Sequence, residues 1–259
     1  MNTYKHIIAF LFLINTLQSQ CQPGFLEIND LCFYEQDINV IQKMIDNSYQ
    51  SGIDLGCQDG DIYCGSPNPF MDTDDFWGWV AYDGIAYQIL GNYNGIVEPL
   101  ELGIQEWENG RLTSFMCGAY IYCQLSGPVP EEINNLTALR TFRVEGNYLS
   151  GFVPESICDL DIDYDNYLEF DLSYNHLCLP YPDCIDADYE FWGQNDEECN
   201  EIGDVNFDYL INILDVILLI SYILDSENLD YQQLIISDIN EDNNLDILDV
   251  VNLVSLILN

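Results

Sequence analysis

Oxygen-bearing side chains recur at a fixed spacing near the carboxyl end of the chain. They occupy positions 1, 3, 5, 9 and 12 of a twelve-residue stretch that begins at Asp204, and again in a stretch that begins at Asp238. Calcium takes roughly six to eight oxygen ligands, and a loop with this spacing supplies them when position 7 adds its backbone carbonyl. The pattern therefore predicts two calcium ions. Their ligands would be Asp204, Asn206, Asp208, Leu210, Asn212 and Asp215 in the first loop, and Asp238, Asn240, Asp242, Asn244, Asp246 and Asp249 in the second.

An apolar stretch follows each of these loops. The apolar residues recur at the spacing of an α-helix, and each stretch is too short to span a bilayer. We expect a bound ion to fix the start of each helix and so promote the packing of one helix against the other. The predicted buried stripes are Val216, Leu219, Ile220 and Ile223 in the first helix, and Val250, Leu253, Val254 and Ile257 in the second.

Residues 203–259 resemble a type I dockerin, which has two calcium loops, each followed by a helix, and a linker helix between them. The resemblance implies calcium-dependent binding to a cohesin-type socket on a scaffold or cell surface. In that family loop positions 10 and 11 take part in partner recognition. Here both copies carry Ile-Leu at these positions, so either copy is suited to face the partner. The alternative is that these four residues, Ile213, Leu214, Ile247 and Leu248, lie in the core of the domain itself.

The two loops depart from the family pattern at position 6, where the sharp backbone turn favours Gly. The first loop has Tyr209 there and the second has Asn243. A left-handed backbone conformation would cost about 1–2 kcal/mol at the tyrosine, whereas Asn tolerates it better. The first loop also has one carboxylate fewer among its predicted ligands. We therefore expect the second loop to bind calcium more tightly.

The middle of the chain carries another repeat. LSGPVPEEINNL begins at Leu125 and LSGFVPESICDL begins 24 residues later at Leu149, while LRTFRVEGNYL and YLEFDLSYNHL follow the pattern L-x-x-L-x-L-x-x-N-x-L. A period of roughly 20 to 29 residues with this pattern is typical of leucine-rich repeats, and the LSGxVP phrase resembles the plant-type repeats. We expect short strands with apolar residues pointing inward, and we expect Asn147 and Asn175 to satisfy buried backbone groups.

The outer face of these strands is a candidate recognition surface for a protein or a glycan. Aligning the two asparagines places Arg143 beside Asp171, so the alternative is a cross-strand ion pair that relieves charge repulsion. The predicted exposed residues are Thr141, Arg143, Glu145, Glu169, Asp171 and Ser173.

The expected fold is an α/β leucine-rich repeat short solenoid with capping regions, followed by a small all-α dockerin of two calcium loop-helix repeats. In the leading cap, the apolar spacing of Ile38, Ile41 and Ile45 predicts an amphipathic helix, and Trp77 and Trp79 resemble the aromatic residues that precede such repeats. The expected segments are a signal peptide (1–20), a Cys- and aromatic-rich N-terminal segment with the cap (21–110), the repeats with a closing cap (111–184), an acidic linker (185–202) and the dockerin-like domain (203–259).

Charge and cysteine usage narrow the function classes. The chain has 45 acidic and 5 basic residues, which disfavours nucleic acid and anionic lipid as partners and suits cations. The segment 1–20 has a short apolar run behind Lys5, which predicts export and no transmembrane anchor. Ten cysteines follow it, so disulfides are expected.

The cysteines do not suggest a metal or redox site, because the sequence has no Cys-x-x-Cys pair and His176 is the only histidine beyond the signal. Close spacing favours the pairs Cys21/Cys32, Cys57/Cys64 and Cys117/Cys123. The connectivity of Cys158, Cys178, Cys184 and Cys199 stays open.

No catalytic motif is present, and 45 carboxylates make chance pairs uninformative. We therefore expect a secreted, non-catalytic interaction or adhesion protein. One alternative is an accessory or enzymatic component of an extracellular polysaccharide-degrading assembly. Another is that the calcium module serves only as a folding staple or surface-retention tag.

Overall fold

The structure is a computed structural model, and it describes residues 21–75, 78–88, 91–118, 120–185, 193–195, 199, 201–207, 210–224, 228–229 and 231–258. The predicted signal peptide and Trp77 lie outside these residues. The helices are α1 (Glu35–Ser51), α2 (Ile213–Ile223), α3 (Tyr231–Ser237) and α4 (Ile247–Leu258). The strands are β1 (Phe25–Ile28), β2 (Leu31–Tyr34), β3 (Val80–Tyr82), β4 (Ile85–Tyr87), β5 (Ile104–Glu108), β6 (Arg111–Met116), β7 (Ser126–Gly127), β8 (Thr141–Arg143), β9 (Tyr148–Phe152), β10 (Phe170–Asp171) and β11 (His176–Cys178).

Helix α1 confirms the amphipathic helix that the sequence predicts. Ile38, Ile41 and Ile45 are buried in the main core, as the spacing of three and four residues requires. The helix follows the β1–β2 hairpin and ends at Gly52, whose left-handed backbone (φ 64°) is a common way to terminate a helix.

Six strands form one sheet in the order β10-β8-β6-β5-β3-β4. Strands β6, β8 and β10 are parallel neighbours, and the register places Phe115, Phe142 and Phe170 side by side. Their buried rings lie 6.1 and 6.5 Å apart between successive centroids. Strands β3, β4 and β5 extend this sheet, so the region predicted as a leading cap is continuous with the repeat strands.

Two buried asparagines confirm their predicted role. The side-chain oxygen of Asn147 accepts from the Leu125 N–H at 2.9 Å, and its amide donates to the Cys117 carbonyl at 2.7 Å. Asn175 accepts from the Leu149 N–H at 3.0 Å one repeat later. These bonds connect the turns to the second, three-stranded sheet, β11-β9-β7, in which all neighbours are parallel.

The outer face of the repeat strands requires one correction. Arg143 and Asp171 are register partners as expected, but Arg143 forms its ion pair with Glu145, at 2.7 Å between Nη2 and Oε1. Glu145 is only 9% exposed because it packs against Gly118, where an added Cβ would lie 2.1 Å from its carboxylate. The prediction that Glu145 is exposed is therefore wrong. The other predicted members of this face are half-buried.

All three cysteine pairs suggested by close spacing are confirmed: Cys21–Cys32, Cys57–Cys64 and Cys117–Cys123. The structure also settles the pairing that the sequence left open. Cys158 bonds Cys184 across 26 residues, and Cys178 bonds Cys199 across 21 residues. The last bond ties the segment predicted as an acidic linker to strand β11.

Helices α2 and α4 pack against each other at the carboxyl end, as predicted. Their shared core contains Val205, Val216, Leu219, Val250 and Leu253. The predicted stripes are partly wrong, because the third residue of each set is on the outer side of its helix: Ile220 is 37% exposed and Val254 is 36% exposed. Each helix buries a narrower stripe than its apolar sequence suggests, since a pair of helices covers only one side of each.

Among the described residues, none of the helices has the length and apolar character needed to span a bilayer.

Candidate calcium-binding loops

The first candidate loop joins residue 203 to the start of α2. Asp204 is 1% exposed and Asp215 is fully buried in the first turn of the helix. The carboxylate of Asp215 accepts the N–H of Asn206 at 3.0 Å and the N–H of Asn212 at 2.8 Å. Positions 3, 9 and 12 of the loop are thus already held together. Asp208, the predicted ligand at position 5, lies outside the described residues.

The second loop repeats this arrangement 34 residues later. The buried carboxylate of Asp249 accepts the N–H of Asn240 at 3.4 Å and the N–H of Asp246 at 2.9 Å. Asp238, at position 1, accepts the N–H groups of Asp242 and Asn243 at 3.1 and 2.8 Å. The two loops therefore share one internal framework, centred on the carboxylate at position 12.

Position 9 also caps the helix that follows each loop. The side chain of Asn212 accepts the Leu214 N–H at 2.8 Å, and that of Asp246 accepts the Leu248 N–H at 2.7 Å. Such caps satisfy N–H groups that have no partner within the first helical turn. The loop residues therefore set the start of α2 and α4, as the sequence predicts.

The backbone turns of the loops were only partly anticipated. Asn243 at position 6 has a φ of 62°, which agrees with the expected left-handed turn, whereas Tyr209 lies outside the described residues. Position 4 is also left-handed in both loops, with φ values of 59° at Phe207 and 58° at Glu241. No sequence signal marked position 4, because neither residue type favours this conformation.

The chemistry of these loops fits a hard cation. Among the described residues, no three carboxylate, histidine or cysteine side chains already converge on one metal position. However, residues 203–259 contain eleven acidic residues and no Lys, Arg or His. Three of the acids, Asp204, Asp215 and Asp249, are at most 1% exposed. A buried carboxylate is costly unless a positive charge lies close to it, and this segment has no cationic side chain. Calcium would supply that charge, since it prefers carboxylate, amide and carbonyl oxygens as ligands.

The residues predicted for partner binding lie on the surface. Ile213 and Leu214 are 60% and 53% exposed, and the equivalent Ile247 and Leu248 are 62% and 53% exposed. The alternative that they belong to the core is therefore wrong. Ile217 and Val251, one turn further along α2 and α4, are each 54% exposed and extend the two apolar faces. Sequence reasoning missed this last pair, although its spacing from position 10 is helical.

We expect the second loop to hold calcium about tenfold more tightly than the first, because it has four candidate carboxylates rather than three and tolerates the turn at position 6. Asp204→Ala should retain only the tighter second site, and Asp238→Ala should retain only the weaker first site. Isothermal titration of the two variants measures this directly. Equal affinities, or a tighter first loop, would contradict the prediction.

A separate group of carboxylates surrounds Asn92 in the N-terminal region. The Asn92 side-chain amide donates to Glu98 at 3.0 Å and to Glu101 at 3.4 Å, and its N–H donates to Asp72 at 3.1 Å. Glu101 is 4% exposed, and burial, reinforced by the charges of Glu98 and Asp72, raises its pKa to about 7. Glu101 also accepts the Glu98 N–H at 2.9 Å, so these acids organise their own loop and its short 3-10 helix, Pro99–Glu101.

Replacing Glu101 by Gln is expected to stabilise the protein at neutral and higher pH. The folded-state pKa of about 7 lies above the ordinary value of 4.5, so the stability that Glu101 contributes is complete below pH 4.5 and is lost as the pH rises through 7. Gln removes the ionisation, so the melting temperature of the variant should exceed that of the wild type at about pH 8 and approach it at about pH 4. Glu132→Gln, which changes an exposed carboxylate outside this group, is the control. A pH-independent difference between Glu101→Gln and the wild type would refute the proposed cause.

Comparison with known families agrees with this geometry. A family model described as the dockerin type I domain matches residues 202–258, and a leucine-rich repeat model matches residues 138–160. A search of curated proteins found no match to the chain. The second match covers the segment from the loop before β8 through β9 to the following 3-10 helix, Glu155–Asp159. The chain therefore carries a leucine-rich repeat at residues 138–160 and, at residues 202–258, a dockerin type I domain, a class that binds calcium and cohesins.

Proposed function

We propose that this protein is a secreted, non-catalytic interaction protein with two binding regions. The dockerin domain, with one calcium ion in each loop, docks the chain to a cohesin-type domain on a scaffold or cell surface. The short leucine-rich repeat solenoid presents a recognition face to another protein or to a glycan. The disulfides and the predicted signal peptide support export.

The observation that carries the docking proposal is the matched exposure of two apolar faces. Ile213 and Leu214 in one copy, and Ile247 and Leu248 in the other, are exposed to almost the same extent. Large aliphatic side chains in such groups are costly to leave in water and commonly mark a protein interface. Because the two faces are nearly equivalent, a partner that fits one also fits the other.

The docking proposal is tested with a panel of cohesin domains, measured with calcium and with a chelator. The paired variant Ile213→Asp/Leu214→Asp removes one face, and Ile247→Asp/Leu248→Asp removes the other. Each alone should bind almost normally, whereas the combination should lose about a hundredfold or more in affinity. Ile96→Asp, at a residue that is 55% exposed in the N-terminal region, is the control. Binding that survives in the four-site variant would exclude these faces.

The proposed recognition face spans the sheet. The register aligns Ala81 of β3, Glu106 of β5, Ser114 of β6 and Thr141 of β8 in one row across the same side. At the β3 end this side opens into a cleft of about 300 Å³, whose lining includes Trp79 and Glu106. The lining combines the indole of Trp79 with small residues and the carboxylates of Glu106 and Glu108, and this combination suits either a sugar ring or a peptide side chain.

Affinity electrophoresis in soluble polysaccharides and binding to oligosaccharides test the recognition face. Trp79→Ala should weaken binding about tenfold or more if the indole contacts the ligand. Tyr63→Ala, which removes a 58% exposed aromatic residue outside this sheet, is the control. Equal affinities of the Trp79→Ala variant and the wild type would exclude the cleft.

Two alternatives are distinguished by the same preparations. Reducing-sugar release from polysaccharides would favour an enzymatic component of a polysaccharide-degrading assembly over a non-catalytic protein. Calcium-dependent stabilisation without binding to any cohesin would favour the folding staple or surface-retention tag.

A further inference from the structure

A small apolar cluster joins the leucine-rich repeat region to the dockerin domain. Phe152 of β9 and Cys178 of β11, which are register partners, are 3% and 5% exposed. They pack with Ile236 of α3, which is fully buried. Helix α3, which lies between the two calcium loops, thus covers these residues at the end of the three-stranded sheet. We call this contact the seam.

The seam continues into the first calcium loop. Phe207, at position 4 of that loop, packs against the same cluster. The Gly203 N–H donates to the Ile236 carbonyl at 2.9 Å, and the side-chain amide of Gln233 donates to the Val205 carbonyl at 2.8 Å. The start of the first loop is therefore attached to the helix that contacts the repeats.

The second calcium loop begins where α3 ends. Ser237 is the last residue of the helix, and the next residue, Asp238, occupies position 1 of the loop. At the other end of α3, Gln232 lies so close to Gly151 of β9 that a Cβ at the glycine would be 2.1 Å from its Nε2. Both loops and the repeat sheet therefore meet on one short helix.

We infer that calcium binding to the two loops stabilises the leucine-rich repeat region through the seam. The dockerin domain then serves as the closing cap of the repeats as well as a docking module. This inference rests on the calcium binding proposed above, and it adds a role for calcium outside the loops.

The physical basis is linkage between ion binding and the position of α3. Without calcium, the carboxylates of each loop repel one another. This repulsion weakens the start of the first loop, which is hydrogen-bonded to α3, and the start of the second loop, which follows α3 directly. A helix of seven residues has little stability of its own and depends on these contacts. When α3 separates, Phe152 and Cys178 lose their apolar cover. Calcium, which binds the ordered loops preferentially, favours the closed arrangement.

Hydrogen exchange of the full chain, with calcium and with a chelator, tests the inference. Calcium should slow the exchange of backbone amides in β9 and β11 by about tenfold or more, although neither strand contains a calcium ligand. In Ile236→Ala this slowing should fall below about twofold. Because this coupling is reciprocal, the calcium affinity of Ile236→Ala should fall by about the same tenfold factor, so the exchange of both proteins is compared at saturating calcium.

The matched control is Ile96→Ala, which truncates the same residue type at a 55% exposed position of the N-terminal region and should keep the full slowing. Normal calcium binding, by titration of the same wild-type sample, without slower exchange in β9 and β11 would overturn the inference and leave the proposed function intact. Absence of calcium binding would overturn both. The wild-type comparison needs no variant, so misfolding of Ile236→Ala does not affect it. The Cys178–Cys199 disulfide is present in every sample, so it cannot cause a difference in exchange between them.

Discussion

Chelation of calcium is expected to remove most of the helical circular dichroism contributed by residues 203–258. Helices α2 and α4 begin at the loop carboxylates, and their shared core is small, with Val205, Val216 and Leu219 among its few buried residues. Short helices with so little buried area depend on the structure at their ends. Two ions, each at about a hundred times its dissociation constant, would together stabilise the folded domain by about 5 kcal/mol.

The measurement is far-ultraviolet circular dichroism and thermal melting during titration with a chelator, followed by return of calcium. Glu241→Gln is a useful control because it removes one charge at position 4, which is not a predicted ligand. It should behave like the wild type, whereas Asp242→Asn, at the neighbouring ligand position, should weaken calcium binding about tenfold or more. An unchanged spectrum and melting curve in chelator would refute calcium-dependent folding.

Removal of the Arg111 side chain is expected to destabilise the N-terminal half of the protein by about 3–5 kcal/mol. Arg111 holds the fully buried Asp37 with two hydrogen bonds, from Nε at 2.8 Å and from Nη2 at 3.0 Å. The hydrogen bonds that Arg111 donates to Asp37 raise the pKa of Arg111, so the guanidinium stays charged. In Arg111→Ala the carboxylate would remain buried without its counter-ion, which is much more costly than the loss of a surface contact.

Arg111 also connects several elements to one another. It lies at the start of β6, and Asp37 lies in the first turn of α1. Its guanidinium stacks over Tyr34 at 4.3 Å and donates to the Thr137 hydroxyl at 3.0 Å. Loss of the side chain therefore affects the packing of α1 on the repeat sheet as well as one ion pair.

Arg140→Ala provides a matched control for the same substitution. Arg140 faces Glu108 at 3.8 Å, and both side chains are more than half exposed. Such surface pairs contribute about 1 kcal/mol or less. Urea unfolding in the presence of calcium, followed by tryptophan fluorescence, compares the two variants. Similar losses in Arg111→Ala and Arg140→Ala would contradict the proposed role of the buried pair.

Much of the candidate calcium site could be predicted from the sequence, because a wrapped ion needs oxygens at set intervals along one short segment. The repeated framework around Asp215 and Asp249, and the left-handed Asn243, agree with that reasoning. The exposure of Ile213 and Ile247 could not be predicted, since an apolar residue beside a loop packs inward in some domains and outward in others. It depends on which side of each helix the partner helix covers.

The leucine-rich repeats also combine features that could be predicted from the sequence with features that could not. The spacing of apolar residues placed Phe142 and Phe170 on parallel strands, and the aligned asparagines indicated their buried hydrogen bonds. The burial of Glu145 was not predictable, because it depends on Gly118, which lies just after the neighbouring strand β6 and has no side chain to hold the carboxylate away. Glu145 is consequently the ion-pair partner of Arg143.

By itself, the sequence determined the features that arise from short-range periodicity: the two oxygen-rich loops, the helices after them, the repeat strands with their asparagines, and the three cysteine pairs that lie close along the chain. Only the tertiary structure decided which apolar faces stay exposed, how Cys158, Cys178, Cys184 and Cys199 pair, and that α3 closes the repeat sheet at Phe152 and Ile236. The physical reason is that a periodic pattern shows only which residues of a single helix, strand or loop lie on the same side of it. Burial and pairing depend on surfaces brought together from distant segments, and no local pattern specifies those surfaces.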